Sequence, residues 1–202
     1  DAPNQPRPTF DPYGPHPVTT KANRRAVRRA IELFQKAAGS NGVWHDGVGL
    51  RGVGARTPAG AHEGRGEAVS WRIAAGSDES IATDAIPDSV EAAIWSDLLS
   101  MKADKPAKGL RVVASDEVRG RICAVVERKM DNRPVQRLCF DDETGELLAV
   151  EFTHGGTGIV FRYEYGSVQS VGAMRMPRAR RVYRGETLFA EDSFTEMAIE
   201  AR

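Results

Sequence analysis

The chain has 202 residues, 41% of them hydrophobic, which is enough for one sizeable domain with looser segments around it. Its 28 basic and 28 acidic residues balance, and no sustained basic stripe provides the electrostatic footprint of a nucleic-acid-binding protein. No apolar run approaches the ~18 residues that a membrane-spanning helix requires. These features predict a globular protein that binds no nucleic acid and has no transmembrane segment.

The beginning of the chain is rich in proline, at positions 3, 6, 8, 12, 15 and 17. Such a density favours an extended, polyproline-like segment over a helix or a central strand. We therefore expect a tail or linker over residues 1–22 and a single domain over residues 23–202. The sequence opens at Asp1 with neither a methionine nor a charged-then-apolar leader, so we expect a processed chain.

The first periodic segment runs from Arg24 to Ala38 and is amphipathic. One helical stripe carries the apolar residues Val27, Ala30, Ile31, Phe34 and Ala38. Gly39 follows, and glycine readily adopts the left-handed conformation that ends a helix. The pattern predicts a helix whose basic opposite side is solvated, with contact to anionic lipid as the alternative.

Between Val43 and Ala75 the sequence alternates and is rich in glycine, which predicts two curved strands joined around residues 57–66. The stretch from Gly47 to Gly52 matches G-x-G-x-x-G. Because no strand-turn-helix unit surrounds it, we do not expect a dinucleotide site there.

A second helix is predicted to begin at Pro87, with Asp88 as its N-cap residue and Glu91 as the capping-box partner. Two adjacent apolar stripes follow, formed by Val90, Ile94, Leu98 and Met101 and by Trp95 and Leu99. Such a wide apolar arc is typical of a helix that lies across a concave sheet, although Asp97 interrupts it. An ordinary surface helix with an exposed tryptophan is the alternative.

From residue 110 onward, strand-like segments alternate with turns at hairpin spacing, which predicts an uninterrupted antiparallel meander. The predicted strands are Leu110–Glu117, Arg121–Lys129, Val135–Asp141, Leu147–Thr153, Gly158–Val168, Arg178–Tyr183 and Thr187–Ile199. The acidic run Asp141–Gly145 fits a turn better than a calcium loop, because it lacks the EF-hand spacing. A long meander must close into a barrel or have its apolar face covered, and the two helices can supply the cover.

The two cysteines, Cys123 and Cys139, fall on the first hairpin of this meander. Reflection of the sequence about Asp131 places them directly opposite each other, within reach of a disulfide, which would indicate an oxidising compartment. Two buried free thiols are the alternative. A zinc site is not expected, because no histidine lies at ligand spacing from either cysteine.

Several phrases in the second half of the chain are similar to those of a known family. They are Cys139-Phe140-Asp141-x-x-Thr144-Gly145-x-Leu147-Leu148, the aromatic strand with Phe161, Tyr163 and Tyr165, and the stretch Val171–Arg178. This pattern resembles the LolA-like proteins that sort bacterial outer-membrane lipoproteins, and more distantly the LppX- and RseB-type half-barrels. The resemblance covers roughly Ala26 to Ala198, with motif-level detail only after Arg121.

The resemblance implies an α+β, mainly β fold, in which helices cover the concave face of an unclosed antiparallel β half-barrel. It also implies a cavity for acyl chains or another lipophilic ligand, no cofactor, and a periplasmic or extracytoplasmic location after removal of a signal sequence. We expect six side chains to line that cavity: Trp71, Trp95, Leu98, Phe152, Phe161 and Tyr163. No catalytic residue and no metal ligand is assigned.

Two other functions stay open beside that of a carrier. An envelope interaction protein would have a filled core and would bind its partner through a sheet edge or through the arginines at 178, 180, 181 and 184. A cofactor-free enzyme, similar to the violacein-pathway enzyme, would need a polar group deep in an apolar pocket, and no catalytic spacing suggests one. We favour a carrier or sorting protein for a lipophilic ligand or lipoprotein, with an envelope protein as a further possible partner.

Overall fold

The computed structural model describes residues 20–61, 66–75, 86–102, 105, 109–129 and 135–201, so that most of the predicted proline-rich tail lies outside the described residues. The described helices are α1 (Lys21–Ala38) and α2 (Pro87–Ser100). The described strands are β1 (Val48–Pro58), β2 (Glu67–Ala74), β3 (Leu110–Val118), β4 (Arg121–Arg128), β5 (Gln136–Asp141), β6 (Leu147–Thr153), β7 (Val160–Tyr165), β8 (Val168–Val171), β9 (Met174–Pro177), β10 (Ala179–Arg184) and β11 (Thr187–Ala201).

Nine of these strands form one antiparallel sheet in the order β2-β1-β11-β10-β7-β6-β5-β4-β3. The two outermost strands, β2 and β3, do not pair with each other, so the sheet stays unclosed. Both helices pack on its concave face and share one apolar core with it. The predicted α+β, mainly β half-barrel is therefore confirmed. Within the described residues, no helix is long and apolar enough to span a membrane.

Helix α1 confirms the predicted amphipathic segment. Its first turn is capped by Thr20, whose hydroxyl accepts a hydrogen bond from the backbone N–H of Asn23 at 3.1 Å. The predicted apolar stripe is buried in the core. Gly39 ends the helix with φ +64°, as the sequence predicts.

The predicted capping box of α2 is wrong. The N-cap residue is Ile86, which makes no side-chain capping bond, and Asp88 lies inside the first turn. The carboxylates of Asp88 and Glu91 turn instead towards arginine and tyrosine side chains of the sheet. Hydrogen bonds to charged groups in a buried setting are stronger than a cap exposed to water, and they decide the orientation. The expected burial of Trp95 is confirmed, since it is only 2% exposed.

The predicted strand over residues 158–168 is split, which interrupts the meander. Strand β7 ends at Tyr165, and β8 pairs with β9, a strand that the sequence analysis missed, in a separate two-stranded hairpin. Gly172, with φ +60°, forms the tight turn between them. The buried Met174 and Met176 of β9 add to the core beside α1, and β10 returns to pair with β7.

The β3–β4 hairpin bends back over the outer face of the sheet. Three strands separate β3 from β7, yet Asp116 of β3 lies 3.4 Å from Arg162 of β7, and Arg119 in the hairpin turn lies 3.8 Å from Glu164. A flat sheet would hold those strands roughly 19 Å apart. A β-bulge in β3 allows the bend. A second apolar cluster lies beneath it, formed by Val118, Cys123, Val125, Cys139, Leu148 and Ala149.

The acidic run Asp141–Gly145 is a turn, as predicted. One carboxylate oxygen of Asp141 accepts hydrogen bonds from the backbone N–H groups of Glu143 and Thr144, and the other accepts one from Arg121 at 2.8 Å. Burial by itself would raise the pKa of Asp141, but these bonds hold that pKa below its ordinary value. The carboxylate thus stabilises the turn.

Gly145 ends this turn and gives a test of how the turn packs on α1. Its φ is +76°, and a Cβ added there would lie 2.4 Å from the backbone carbonyl carbon of Leu33. We expect Gly145→Ala to lower the free energy of unfolding by ~2–4 kcal/mol, because left-handed strain and overpacking add. Gly185→Ala is the matched control, with φ +60° and open space around it, and should cost only ~1–2 kcal/mol. Equal losses in urea unfolding would contradict the close approach.

Candidate ligand-binding site

The structure places the six expected lining residues on or against the concave face. Trp71, Trp95, Leu98, Phe152 and Tyr163 are fully buried in the shared core, and Phe161 is partly buried at its edge. The rings of Trp71 and Trp95 meet edge-on with centroids 5.7 Å apart, and Phe152 stacks on Tyr163 at 6.0 Å. The residues therefore form an aromatic layer between α2 and the sheet.

The side chains of this layer are closely packed, and five of the six are at most 2% exposed. A void beside Phe34, Trp95 and Tyr165 has a volume of about 20 Å³. Such a volume holds about one water molecule. An acyl chain could reach the aromatic layer only if α2 moved away from the sheet.

A buried ionic network, which the sequence analysis did not predict, also connects α2 to the sheet. At its centre is Arg180 of β10, whose side chain is fully buried. Its Nη1 donates a hydrogen bond to Glu91 of α2 at 2.8 Å, and its Nε donates one to Asp192 of β11 at 2.7 Å. Its Nη2 lies 3.3 Å from the carboxylate of Asp88. One cation thus holds three carboxylates, two from α2 and one from β11.

Arg56 of β1 is the second cation of this network. Its Nε donates a hydrogen bond to Asp192 at 2.7 Å, and its Nη2 donates one to Asp88 at 2.8 Å. Asp192 therefore lies between two guanidinium groups of the sheet, while Asp88 joins both of them to the first turn of α2. The attachment of α2 rests on charge as well as on apolar packing.

Aromatic hydrogen-bond donors complete the network. The hydroxyl of Tyr163 donates to Asp88 at 2.7 Å, and the indole N–H of Trp71 donates to Glu91 at 2.7 Å. Tyr165 donates its hydroxyl hydrogen to Glu91 and accepts one from the indole of Trp95 at 2.7 Å. The aromatic layer thereby satisfies the polar atoms that would otherwise be costly to bury.

Burial and charge shift the pKa values of the network in opposite directions. Burial raises the pKa of Glu91, and the attraction of Arg180 opposes this only in part. Burial also tends to raise the pKa of Asp192, but the hydrogen bond from Arg56 and the charge of Arg180 bring that pKa below its ordinary value. Burial and the nearby carboxylates raise the pKa values of Tyr163 and Tyr165, so both hydroxyls remain donors at neutral pH.

The arginines at 178, 180, 181 and 184 do not share one surface. Arg180 points into the core, whereas its neighbour Arg181 is exposed and pairs with Glu191. Alternation along the strand could have predicted that Arg180 points inward, because it lies on the same side of β10 as the apolar Val182. Its partners come from distant parts of the chain, and sequence spacing alone does not bring them together.

An open groove lies at one end of the sheet, apart from the buried layer. Its volume is about 650 Å³, and it is lined by Pro58, Ala59, Ile159, Arg184, Gly185, Thr187, Leu188 and Phe189. Phe189 is 50% exposed, which is unusual for a phenylalanine side chain. The groove is the second surface that an apolar group could contact.

The prediction that the two cysteines lie directly opposite each other is wrong. Cys139 pairs with Val125 and Cys123 pairs with Asp141, so the register is symmetric about position 132 instead of Asp131. Because the centre of symmetry lies one residue further along, the residue opposite Cys139 is two positions beyond Cys123. The cysteines are therefore diagonal neighbours, and both belong to the second apolar cluster. Both are free thiols, and a hydrogen bond between them, together with burial, raises the pKa of Cys139.

No protein-family model matches the chain, and neither does any curated protein. Among solved structures, a LolA superfamily protein from Nitrosomonas europaea is similar over 87% of this chain and 93% of its own, with a TM-score of 0.51 and 8% identity. A putative outer membrane lipoprotein-sorting protein domain from Vibrio parahaemolyticus is similar over 86% of this chain and 93% of its own, with a TM-score of 0.48 and 11% identity. A DUF1329 family protein from Desulfovibrio piger is similar over 85% of this chain and 92% of its own, with a TM-score of 0.47 and 10% identity.

The chain therefore has a LolA-like fold. At such identities the likeness establishes the fold alone, and any argument for function has to come from the site itself.

Proposed function

We propose that this protein is an extracytoplasmic carrier that binds a lipophilic ligand, or the acyl chains of a lipoprotein, on the concave face of the sheet beneath α2. The observation that carries the proposal is an aromatic layer of the half-barrel that a single helix covers through contacts a ligand can replace. The LolA-like fold supplies the half-barrel whose concave face would hold such a ligand.

Ligand binding on this face requires α2 to act as a lid. The helix has 14 residues, and its apolar side chains fill the space that an acyl chain would take. Removing α2 would expose Trp71 and Tyr163, which it contacts, and a chain laid over these rings would bury the same apolar surface again. The carboxylates of α2 would regain hydration when the helix moved out.

Phe161 gives the most direct test of where the ligand lies. It is partly buried beside Phe152, with ring centroids 6.1 Å apart, at the edge of the aromatic layer. We expect Phe161→Asp to abolish the binding of a lipophilic fluorescent dye, because the new carboxylate would have to lose its hydration against the bound chain.

Phe189→Asp is the matched control, since Phe189 lines the open groove instead of the aromatic layer. It should bind the dye as the unmodified protein does, and so should the surface variant Lys36→Ala. Loss of binding in Phe189→Asp but not in Phe161→Asp would move the site to the groove and contradict the proposal.

An envelope interaction protein is the second candidate, and the filled core favours it. In that case the groove with Phe189 at its rim would be the surface that contacts a partner. The unmodified protein would then bind no lipophilic dye, whereas a carrier must bind it saturably.

An oxidising location belongs to the same proposal, and the cysteines supply its test. Because the two thiols are in contact, a disulfide between Cys123 and Cys139 needs only a small backbone shift. It would close a loop of about 15 residues and should raise the free energy of unfolding by up to about 3 kcal/mol over the reduced protein.

The measurement is urea unfolding of the oxidised and the reduced protein, with the loss of two hydrogens checked by mass spectrometry. Cys139→Ala is the control, and its stability should not depend on the reductant. A protein that stays reduced when a disulfide oxidant is supplied would contradict the disulfide.

A further inference from the structure

The charges beneath α2 do not balance when the sheet is considered without the helix. The sheet contributes Arg56 and Arg180 against the single carboxylate of Asp192, which leaves one positive charge. The helix contributes Asp88, which contacts both guanidinium groups, and Glu91, which contacts that of Arg180. Helix α2 therefore brings two carboxylates to a face that without it carries one positive charge.

The cation at this position is built into the aromatic layer. The guanidinium carbon of Arg180 lies 5.5 Å from the ring centre of Trp71, 5.2 Å from that of Tyr163 and 5.4 Å from that of Phe194. These rings and Asp192 hold the side chain in place from the sheet side. Nη2 of Arg180 forms an ion pair with Asp88 at 3.3 Å, and among the described residues it makes no hydrogen bond of good geometry. A donor therefore faces α2 and is not fully used in the covered state.

We propose that the ligand of this site is an anionic amphiphile, a long acyl chain ending in a carboxylate or phosphate, whose head group takes the place of the α2 carboxylates on Arg180. This inference rests on the proposed function, because it requires α2 to leave the aromatic layer. When α2 moves out, Asp88 and Glu91 leave with it, and an uncovered cation in an apolar layer is costly. An anionic head group restores the balance, and its chain covers Trp71 and Tyr163 as the helix did.

The test compares a dansylated long-chain fatty acid with its methyl ester, which has the same chain and no charge. We expect the fatty acid to bind at least about tenfold more tightly than the ester, the ratio that a hydrogen bond to a charged group provides. In Arg180→Met this preference should disappear. In Arg181→Met, which changes the exposed neighbour on the same strand, the preference should be unchanged.

A second variant keeps the test decisive if Arg180→Met does not fold. Glu91→Gln retains the shape of the side chain but removes the charge that competes for Arg180, so the preference for the acid over the ester should increase. Asp97→Asn is its matched control on α2, because Asp97 pairs with Arg128, away from this network. An unchanged ratio in Glu91→Gln would overturn the inference.

The outcomes separate this inference from the proposed function. Equal binding of acid and ester by the unmodified protein would overturn the anionic head group and leave the carrier intact. Binding of neither probe would contradict the carrier itself.

Discussion

Replacing Arg180 with methionine should lower the free energy of unfolding by ~3–5 kcal/mol, because it leaves the buried carboxylate of Glu91 without its cation. Glu91 loses the partner at 2.8 Å and keeps only neutral donors, whereas Asp192 still has Arg56 at 2.7 Å. The measurement is urea unfolding at neutral pH, with Arg181→Met as the control. Arg181 is 44% exposed in its pair with Glu191, and its loss should cost at most about 1 kcal/mol.

The loss of unfolding free energy in Arg180→Met should also depend on pH. Without the arginine the pKa of Glu91, which burial already raises, must rise further. A carboxyl group whose pKa is raised on folding destabilises the folded state at pH values above its unfolded pKa. The difference in free energy of unfolding between Arg180→Met and the unmodified protein should therefore become smaller as the pH falls towards about 4. The double variant with Glu91→Gln should recover part of the loss at neutral pH. Equal losses in Arg180→Met and Arg181→Met would contradict the buried network.

Trp95→Ala should cost ~3–5 kcal/mol and at the same time create a cavity beneath α2. The indole ring packs against Phe34, Trp71 and Tyr165 with centroid distances of 5.9, 5.7 and 5.3 Å, and the void beside it has a volume of only about 20 Å³. A cavity lined by aromatic rings binds small apolar molecules. Added indole should therefore raise the thermal midpoint of Trp95→Ala by mass action and leave that of the unmodified protein unchanged.

Phe189→Ala serves as the control for Trp95→Ala. Its side chain is 50% exposed, so the substitution should cost less than about 1 kcal/mol and should respond little to indole. If indole stabilises the unmodified protein and Trp95→Ala by the same amount, indole binds outside the aromatic layer. That result would contradict the close packing of α2 around Trp95.

The helices and strands in which apolar residues recur at a regular spacing were predictable from the sequence. The stripe of Val27, Ile31 and Phe34 fixes the buried face of α1, and the wide apolar arc around Trp95 indicates that α2 lies across a concave sheet. Most strands of the meander follow from alternation between turn residues. These features depend on local periodicity, which a single sequence carries in full.

The differences arise where long-range contacts outweigh a local pattern. Asp88 and Glu91 have capping-box spacing, but buried arginines from distant strands hold their carboxylates. The pairing of Cys139 depends on a register that a one-residue change in the centre of the hairpin alters. The hairpin of β8 and β9 was missed because its strands have only four residues each, too few for alternation to be distinguished from chance.

Hydrogen exchange of the α2 amides, with and without the dansylated fatty acid, tests most directly whether α2 is the lid of a lipophilic-ligand site. We expect saturable binding, faster exchange over Pro87–Ser100 as the helix leaves the sheet, and slower exchange in β7 and β10 beneath the bound chain. Saturable binding with unchanged exchange in α2 would place the ligand elsewhere, and an absence of binding would contradict the carrier altogether.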